Sequence, residues 1–179
     1  MTVGLDLSIN STGIVISSKK EIKYYIITPS LTKKQQRCDY INYVLYDKKS
    51  VNDQPNYIEK EDAKTMNIYN ITRAIEAVLF EENKLEKGTT VKIEGVAFGG
   101  SGDVVGLSGL NYQVRYMLLS HNIHPIIVSP TENKKRAVGT GGADKDVMID
   151  AFIRCSQFNN TLGVKIDDIA DAYFLAMYE

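Results

Sequence analysis

Tryptophan is absent from this sequence of 179 residues, and cysteine and histidine occur only twice each. The two cysteines, Cys38 and Cys155, lie far apart, and the amino terminus carries neither a basic nor an apolar leader segment. These absences argue against a disulfide framework and against secretion. The sequence also lacks any apolar run near the roughly 18 residues that a membrane-spanning helix requires. We therefore expect a cytoplasmic protein with reduced thiols, in the host-cell cytoplasm if the sequence is viral.

An excess of charge of either sign is lacking as well. The sequence has 21 Lys and Arg residues against 22 Asp and Glu residues, which gives a formal net charge of −1. This balance argues against a protein that coats nucleic acid or an anionic membrane through bulk charge, although a basic patch beside an acidic cluster gives the same sum. The length and the 44% hydrophobic content predict one folded domain over residues 1–179.

The hydrophobic periodicity predicts a mixed α/β fold. Residues 2–8 alternate between apolar and other side chains, which is typical of a strand. Further strands are predicted at 14–17, 22–28, 91–98 and 125–129, the last of them buried, and helices at 61–83, 107–118, 144–157 and 168–178. Residues 29–60 are interpreted as an elaboration with a hairpin at 40–46. This order predicts a central mixed sheet of about five strands flanked by helices.

Four carboxylates stand in segments that are otherwise built for a hydrophobic core. Asp6 lies within the first predicted strand and Glu94 within a later apolar strand, where an unpaired charge is costly. Asp168 and Asp171 are three positions apart, which places both on one face of a helix. Taken one by one, these residues have ordinary explanations, such as a helix N-cap, a favourable charge in a first helical turn, a turn acceptor or an ion pair.

If the four carboxylates converge instead, their mutual repulsion requires a cation among them. Ligation by carboxylate oxygens alone suits Mg²⁺, for which Mn²⁺ can substitute. The chemistry that uses such a cluster is phosphodiester hydrolysis, in which two metal ions about 3.5–4 Å apart stabilise the attacking and leaving oxygens. The sequence therefore predicts a metal-dependent nuclease with two ions in its active site.

Residues 133–145 combine cations with a glycine-rich loop. Lys134, Lys135 and Arg136 are consecutive, and Lys145 follows the glycines. A solvated helix end followed by a turn is the ordinary explanation. Because glycine lets a backbone approach closely and Lys or Arg supplies positive charge, the segment also fits a contact with the DNA backbone.

Four segments together resemble the RuvC Holliday junction resolvases, within the RNase H-like superfamily of nucleases. They are GLDLS at 4–8 with Thr12-Gly13, Ile93-Glu94, VGTGGADK at 138–145, and DIADA at 168–172. Their order and spacing agree with the family over most of the chain. Residues 29–60 are longer than the matching stretch of the cellular resolvases, and Ala97 stands where the family often has an aromatic residue. In both respects the sequence is similar to the divergent phage and poxvirus branches.

The resemblance implies an RNase H-like fold and a crossover junction endonuclease. Such an enzyme resolves four-way DNA by paired, metal-dependent hydrolysis and acts in DNA recombination and repair. The residues that match the metal ligands of the family are Asp6, Glu94, Asp168 and Asp171. Lys134 and Lys145 match the lysines near the scissile phosphate.

The resemblance also implies contacts with branched DNA and with a second copy of the chain. Lys134, Lys135, Arg136 and Lys145 are predicted to bind the DNA. Phe98 either reaches the branch point of the junction or is a core residue. Because a four-way junction has near two-fold symmetry, we expect a homodimer, with helix 107–118 as its interface.

Other functions remain open for these motifs. The first motif also resembles the phosphate loop of actin-like ATPases and sugar kinases, which require two such domains, whereas this sequence has one copy. An RNase H-like nuclease that acts on other branched DNA or on RNA-containing duplexes would use the same metal chemistry. A non-catalytic junction-binding module would be expected to lack carboxylates, and none of the four is missing.

Overall fold

A computed structural model describes residues 1–96 and 103–177. Within these ranges, the strands form a single six-stranded mixed sheet. They are β1 (Thr2–Asp6), β2 (Thr12–Ser17), β3 (Ile22–Thr28), β4 (Asn42–Leu45), β5 (Thr90–Glu94) and β6 (Ile126–Val128). Their order across the sheet is β4-β3-β2-β1-β5-β6. The first three strands form an antiparallel meander, and the pairs β3 with β4, β1 with β5 and β5 with β6 are parallel.

Helices cover both faces of the sheet. They are α1 (Tyr57–Glu76), which continues as a π-helical turn (Ala77–Glu82), α2 (Val104–Ser120), α3 (Pro130–Val138), α4 (Lys145–Ser156) and α5 (Asp167–Met177). One apolar cluster joins α1 and α2 to the sheet residues Val3 and Leu5. A second cluster joins α4 and α5 to Val15 and Ile26 on the opposite face. None of the described helices is both long enough and apolar enough to cross a membrane.

Local side-chain contacts explain where several helices begin. The side chains of Asn56, Asp103, Ser129 and Asp144 each accept a hydrogen bond from a backbone N–H in the first turn of the following helix. This contact satisfies a donor that has no partner inside the helix. The predicted helix 61–83 consequently begins earlier, at Tyr57, directly after its Asn56 cap.

The mixed α/β prediction is confirmed, but parts of the sheet differ from expectation. The sheet has six strands rather than about five because the elaboration 29–60 contributes β4. The hairpin predicted at 40–46 is wrong, since β4 is a single strand that pairs parallel with β3, with Tyr25 opposite Asn42. The strand predicted at 91–98 ends at Glu94.

One prediction about a buried surface also needs correction. The strand predicted as buried at 125–129 is the edge strand β6, so Ile126 and Ile127 remain 50% and 40% exposed. The predicted dimer helix 107–118 packs one side into the core, where Leu110, Val114 and Leu118 are fully buried. Its other side faces solvent, so a dimer through this helix stays a prediction.

Two glycines let α5 lie directly on the sheet. A Cβ atom on Gly4 would overlap the carbonyl oxygen of Ala172, and one on Gly13 would overlap that of Asp168. Backbone-to-backbone approach of this kind is possible only without a side chain on the strand. The glycines therefore bring the start of α5 close to the end of β1.

Gly13→Ala should destabilise the fold, because the new methyl group must displace the backbone of α5. We expect a loss of at least the roughly 1–3 kcal/mol that overpacking usually causes. Urea unfolding measures the change. Gly142→Ala is the matched control, because a Cβ atom there meets nothing within 4 Å. Equal stability of the two variants would contradict the close approach of α5.

Candidate active site

Asp6 and Glu94 are the last residues of two neighbouring parallel strands, β1 and β5. The register pairs Leu5 with Ile93, so the next position on each strand brings both carboxylates to the same edge of the sheet. Asn111 from α2 donates its side-chain N–H to the backbone carbonyl of Glu94 over 2.9 Å. A cavity of about 110 Å³ opens at this edge, and Asp6, Glu94 and Asn111 are among its lining residues.

The start of α5 brings further carboxylates to this edge. The Ser11 hydroxyl donates to Asp168 Oδ2 over 2.5 Å, and the backbone of Asp168 lies against Gly13, the register partner of Asp6. Asp171 follows one helical turn later. The four carboxylates singled out in the sequence therefore lie at one end of the sheet.

Burial and mutual repulsion raise the pKa values of Asp6 and Asp168. The pKa of Asp6 is raised well above its usual value of 3.8, first by burial and then by repulsion from Glu94, Asp171, Asp168 and Asp167. Burial also raises the pKa of Asp168. These shifts show that the carboxylates are close enough to act on one another.

The remaining two carboxylates titrate near neutral pH. Burial, followed by repulsion from Asp171, raises the pKa of Glu94 to about 7, although a hydrogen bond from Asn133 and the charge of Lys134 oppose the rise. Burial raises the pKa of Asp171 to about 6, and Lys134 again opposes the change. A cation at this edge would favour the fully ionised cluster.

The donor set has the chemistry that a hard divalent cation prefers. Asp171 Oδ1 and Asp167 Oδ1 are buried and accept no hydrogen bond from the described part of the chain. Unpaired carboxylate oxygens of this kind are ligands suited to Mg²⁺ or Mn²⁺. Within residues 1–96 and 103–177, however, no group of three or more Asp, Glu, His or Cys side chains is arranged so that it could hold a metal ion. A metal site at this edge therefore stays a prediction.

Two of the predicted lysines lie beside the cluster. Lys134, in α3, donates from Nζ to the backbone carbonyl of Ala143 over 2.8 Å. Lys145, the first residue of α4, donates from Nζ to Asp167 Oδ2 over 2.8 Å, and this hydrogen bond raises the pKa of Lys145. Both ammonium groups therefore lie close enough to act on the carboxylates, Lys134 on Glu94 and Asp171, and Lys145 on Asp167.

The other predicted DNA-binding residues fall outside this core of the site. Lys135 and Arg136 are exposed on α3, and Arg136 Nε contacts Glu132 Oε1 over 2.7 Å within the same helix. Phe98 lies outside the described residues, so its contact with a branch point stays a prediction.

Three residues at the site were not singled out from the sequence. Asn133 is 2% exposed, and its side-chain N–H group donates to Glu94 Oε2 over 3.3 Å and to the Asp171 carbonyl over 3.2 Å. Ser11 holds Asp168, and Asp167 holds Lys145. Each of the three lies next to a residue that the sequence analysis named. This proximity is the one feature of the sequence that could have identified them.

Comparisons with known proteins give no sequence match and a clear structural one. No protein-family model matches this sequence, and no curated protein matches it. The structure of Thermus thermophilus RuvC is similar over 98% of this chain and 90% of its own, with a TM-score of 0.60 and 15% identity. The chain has the fold of RuvC. The RNase H-like fold implied by the sequence motifs is confirmed.

Two further structures share the RuvC fold. One is T. thermophilus RuvC in complex with a Holliday junction substrate, at 14% identity and a TM-score of 0.60, with 98% of this chain and 89% of that chain covered. The other is the yeast mitochondrial Holliday junction resolvase Ydc2, at 15% identity and a TM-score of 0.50, with 98% and 75% covered. A relationship to the phage or poxvirus type stays a prediction.

Proposed function

We propose that the protein is a divalent-metal-dependent endonuclease that resolves four-way DNA junctions. The observation that carries the proposal is the meeting of Asp6, Glu94, Asp168 and Asp171 at one edge of the sheet, where burial and repulsion raise the pKa of each. A cluster of buried carboxylates does not stabilise the folded protein. A catalytic role explains why the protein contains it.

These four carboxylates would hold Mg²⁺, with Mn²⁺ as a substitute and two ions per site. Bound there, the ions would lower the pKa of a water molecule and polarise the scissile phosphodiester. Asn133 holds the Glu94 carboxylate in place, and the Ser11 hydroxyl does the same for Asp168. Lys134 and Lys145 place positive charge beside the position of the scissile phosphate, where negative charge develops during hydrolysis.

Branched DNA is the proposed substrate class. Lys135 and Arg136 are exposed on the same helix as Lys134, with Arg136 also paired to Glu132 Oε1. Sequence-independent contacts of Lys and Arg with phosphates fix the position of a duplex without reading its bases. The RuvC fold and the four motifs in order favour the four-way junction over other branched substrates.

A substrate panel tests this function. A four-way junction, a three-way junction, a linear DNA duplex and an RNA–DNA hybrid are incubated with the full chain and Mg²⁺, and the cut sites are mapped. The proposal predicts cuts in the four-way junction, placed symmetrically across the branch point. Preferential cutting of the hybrid would establish an RNase H-like nuclease instead, and binding without cutting would establish a non-catalytic junction-binding module.

We also propose that the active form is a homodimer, assembled through the solvent-facing side of α2. Val105, Tyr112, Tyr116 and Leu119 are 84%, 67%, 70% and 45% exposed. Their spacing of seven, four and three positions places them along one side of the helix. An exposed apolar stripe of this kind is typical of a protein interface, and tyrosine is common in such interfaces.

Tyr116→Glu should convert the dimer to a monomer, because it places a charge in the middle of this stripe. Sedimentation equilibrium measures the mass, and junction cleavage should change from paired to single nicks. Tyr57→Glu is the matched control, since Tyr57 is 75% exposed at the start of α1. A wild-type protein that sediments as a monomer while making paired nicks would contradict the dimer.

A further inference from the structure

Asp167 lies beside the four proposed ligands, and its Oδ2 already has partners, unlike its Oδ1, which is unpaired within the described part of the chain. It is 5% exposed, yet it is flanked by two lysines whose side chains are largely exposed. Asp167 Oδ2 lies 2.8 Å from Lys145 Nζ and 3.2 Å from Lys165 Nζ. Lys165 Nζ also lies 4.0 Å from Asp168 Oδ2. One buried carboxylate oxygen therefore holds two ammonium groups at the rim of the cluster.

Stability alone does not explain this arrangement. A single lysine is enough to balance the charge of one buried carboxylate, and exposed ion pairs contribute little to stability. Holding a second long side chain in place also loses rotamer entropy. The two lysines with Asp167 leave one net positive charge in a fixed position at the rim.

A third lysine continues this positive charge onto the elaboration 29–60. A Cβ atom on Gly163 would lie 3.6 Å from Lys34 Nζ, so the Lys34 ammonium group lies against the loop that leads into Lys165. The backbone of Gly163 has φ +59, a conformation that favours glycine. Lys145 from α4 and Lys165 from the loop before α5 therefore meet at Asp167, and Lys34 of the elaboration lies beyond them, against the same loop at Gly163.

We propose that Lys145, Lys165 and Lys34 form one phosphate-binding row for the DNA backbone that flanks the scissile phosphodiester. Asp167 is a positioning residue, which fixes Lys145 and Lys165. The row carries two net positive charges after Asp167 is counted, and the backbone of one DNA strand offers a phosphate about every 3.4 Å along the helix axis. The inference rests on the proposed function and gives the elaboration a role in holding the substrate.

The salt dependence of junction binding tests the row. Binding of a fluorescent four-way junction to the full chain is measured in Ca²⁺ over a range of KCl concentrations. Lys165→Gln and Lys34→Gln should each reduce the slope of log Kd against log salt by about one, because each removes one phosphate contact. Lys20→Gln should leave the slope unchanged, since Lys20 is exposed in the β2–β3 turn, at the end of the sheet opposite Asp6. Unchanged slopes for both row variants would overturn the proposal.

Asp167→Asn tests the positioning role separately. The change adds one net positive charge, so a purely electrostatic effect would tighten junction binding. Positioning predicts the opposite result, which is weaker binding and slower cleavage. The double variant Asp167→Asn with Lys165→Gln should bind the junction no more weakly than Asp167→Asn alone. Both substitutions act on the same contact, the one that Lys165 makes with the DNA, so their losses should not add. Tighter binding, or additive losses, would overturn the positioning role.

Two measurements distinguish a positioning role of Asp167 from metal ligation and from a loss of folding. Mn²⁺ affinity, followed by electron paramagnetic resonance, should be the same for Asp167→Asn and wild type, and a weakened Mn²⁺ site would make Asp167 a metal ligand instead. Thermal melting reports whether Asp167→Asn folds, and Lys165→Gln tests the row even if it does not. If wild type binds no junction, the proposed function fails. If wild type binds and cuts the junction with a salt slope that Lys165→Gln and Lys34→Gln leave unchanged, only the row fails.

Discussion

Asp6→Asn should abolish junction cleavage while leaving junction binding intact. Asp6 lies at the end of β1 beside Glu94, and the other carboxylates of the cluster raise its pKa. The amide keeps the shape of the side chain but removes one negative charge, which weakens the hold on the cation that the reaction needs. Substitutions of residues that only support a metal ligand reduce activity by up to about 100-fold. Because Asp6 is a proposed ligand itself, we expect its substitution to reduce the cleavage rate by at least this factor.

Single-turnover cleavage of a four-way junction in Mg²⁺ measures the loss, and binding is measured in Ca²⁺, whose looser geometry should support binding without turnover. Glu94→Gln, Asp168→Asn and Asp171→Asn should behave in the same way. Asp53→Asn is the control, because Asp53 is exposed in a turn of the elaboration. Full cleavage by any two of the four site variants would rule out this assignment.

The same substitution should stabilise the metal-free protein at high pH. Glu94 and Asp171 have pKa values raised to about 7 and about 6, so the folded state binds more protons than the unfolded chain between about pH 4.5 and pH 7. Stability therefore falls as pH rises through this window. At 1.36 kcal/mol per pKa unit, the penalty is on the order of 3 kcal/mol for a group such as Glu94. The pKa of Asp6 is also raised well above its usual value, so Asp6→Asn removes the penalty that belongs to Asp6 itself.

Thermal melting in chelator at pH 5 and pH 8 measures this effect. Asp6→Asn should melt several degrees above wild type at pH 8, by the roughly 2–4 °C per kcal/mol expected for a chain of this size, and close to wild type at pH 5. Added Mg²⁺ should raise the melting temperature of wild type at pH 8 more than that of the variant. A wild-type protein that is more stable at pH 8 than at pH 5 without metal would contradict the repulsion.

The carboxylates could be found from the sequence because a charge in an apolar strand is conspicuous. Asp6 and Glu94 stand in strands built for the core, and Asp168 and Asp171 share a helical face. Asp167 escaped attention because an acidic residue before a helix has a sufficient explanation as a cap. Only its burial and its two lysine partners distinguish it, and both depend on the tertiary structure.

The parts of the fold that the sequence did not predict have weak local patterns. The strand β4 has four residues and no fully buried side chain, so its pattern does not indicate its partner or direction. The helix α3 buries only Asn133, so it has no apolar stripe to detect. A short apolar run such as β6 has the same sequence pattern whether the strand lies at the edge of a sheet or in its centre. Only the strand pairing in the folded protein shows that β6 is an edge strand.

Cleavage of a supercoiled plasmid that extrudes a cruciform tests metal-dependent junction resolution in a single assay. Two coordinated nicks across the junction convert the circle to a linear product, whereas independent nicks accumulate a nicked circle. We expect linear product in Mg²⁺ or Mn²⁺, none in chelator, and none with Asp6→Asn. A wild-type protein that leaves the cruciform uncut in both metals, or that cuts it equally well in chelator, would contradict the proposed function.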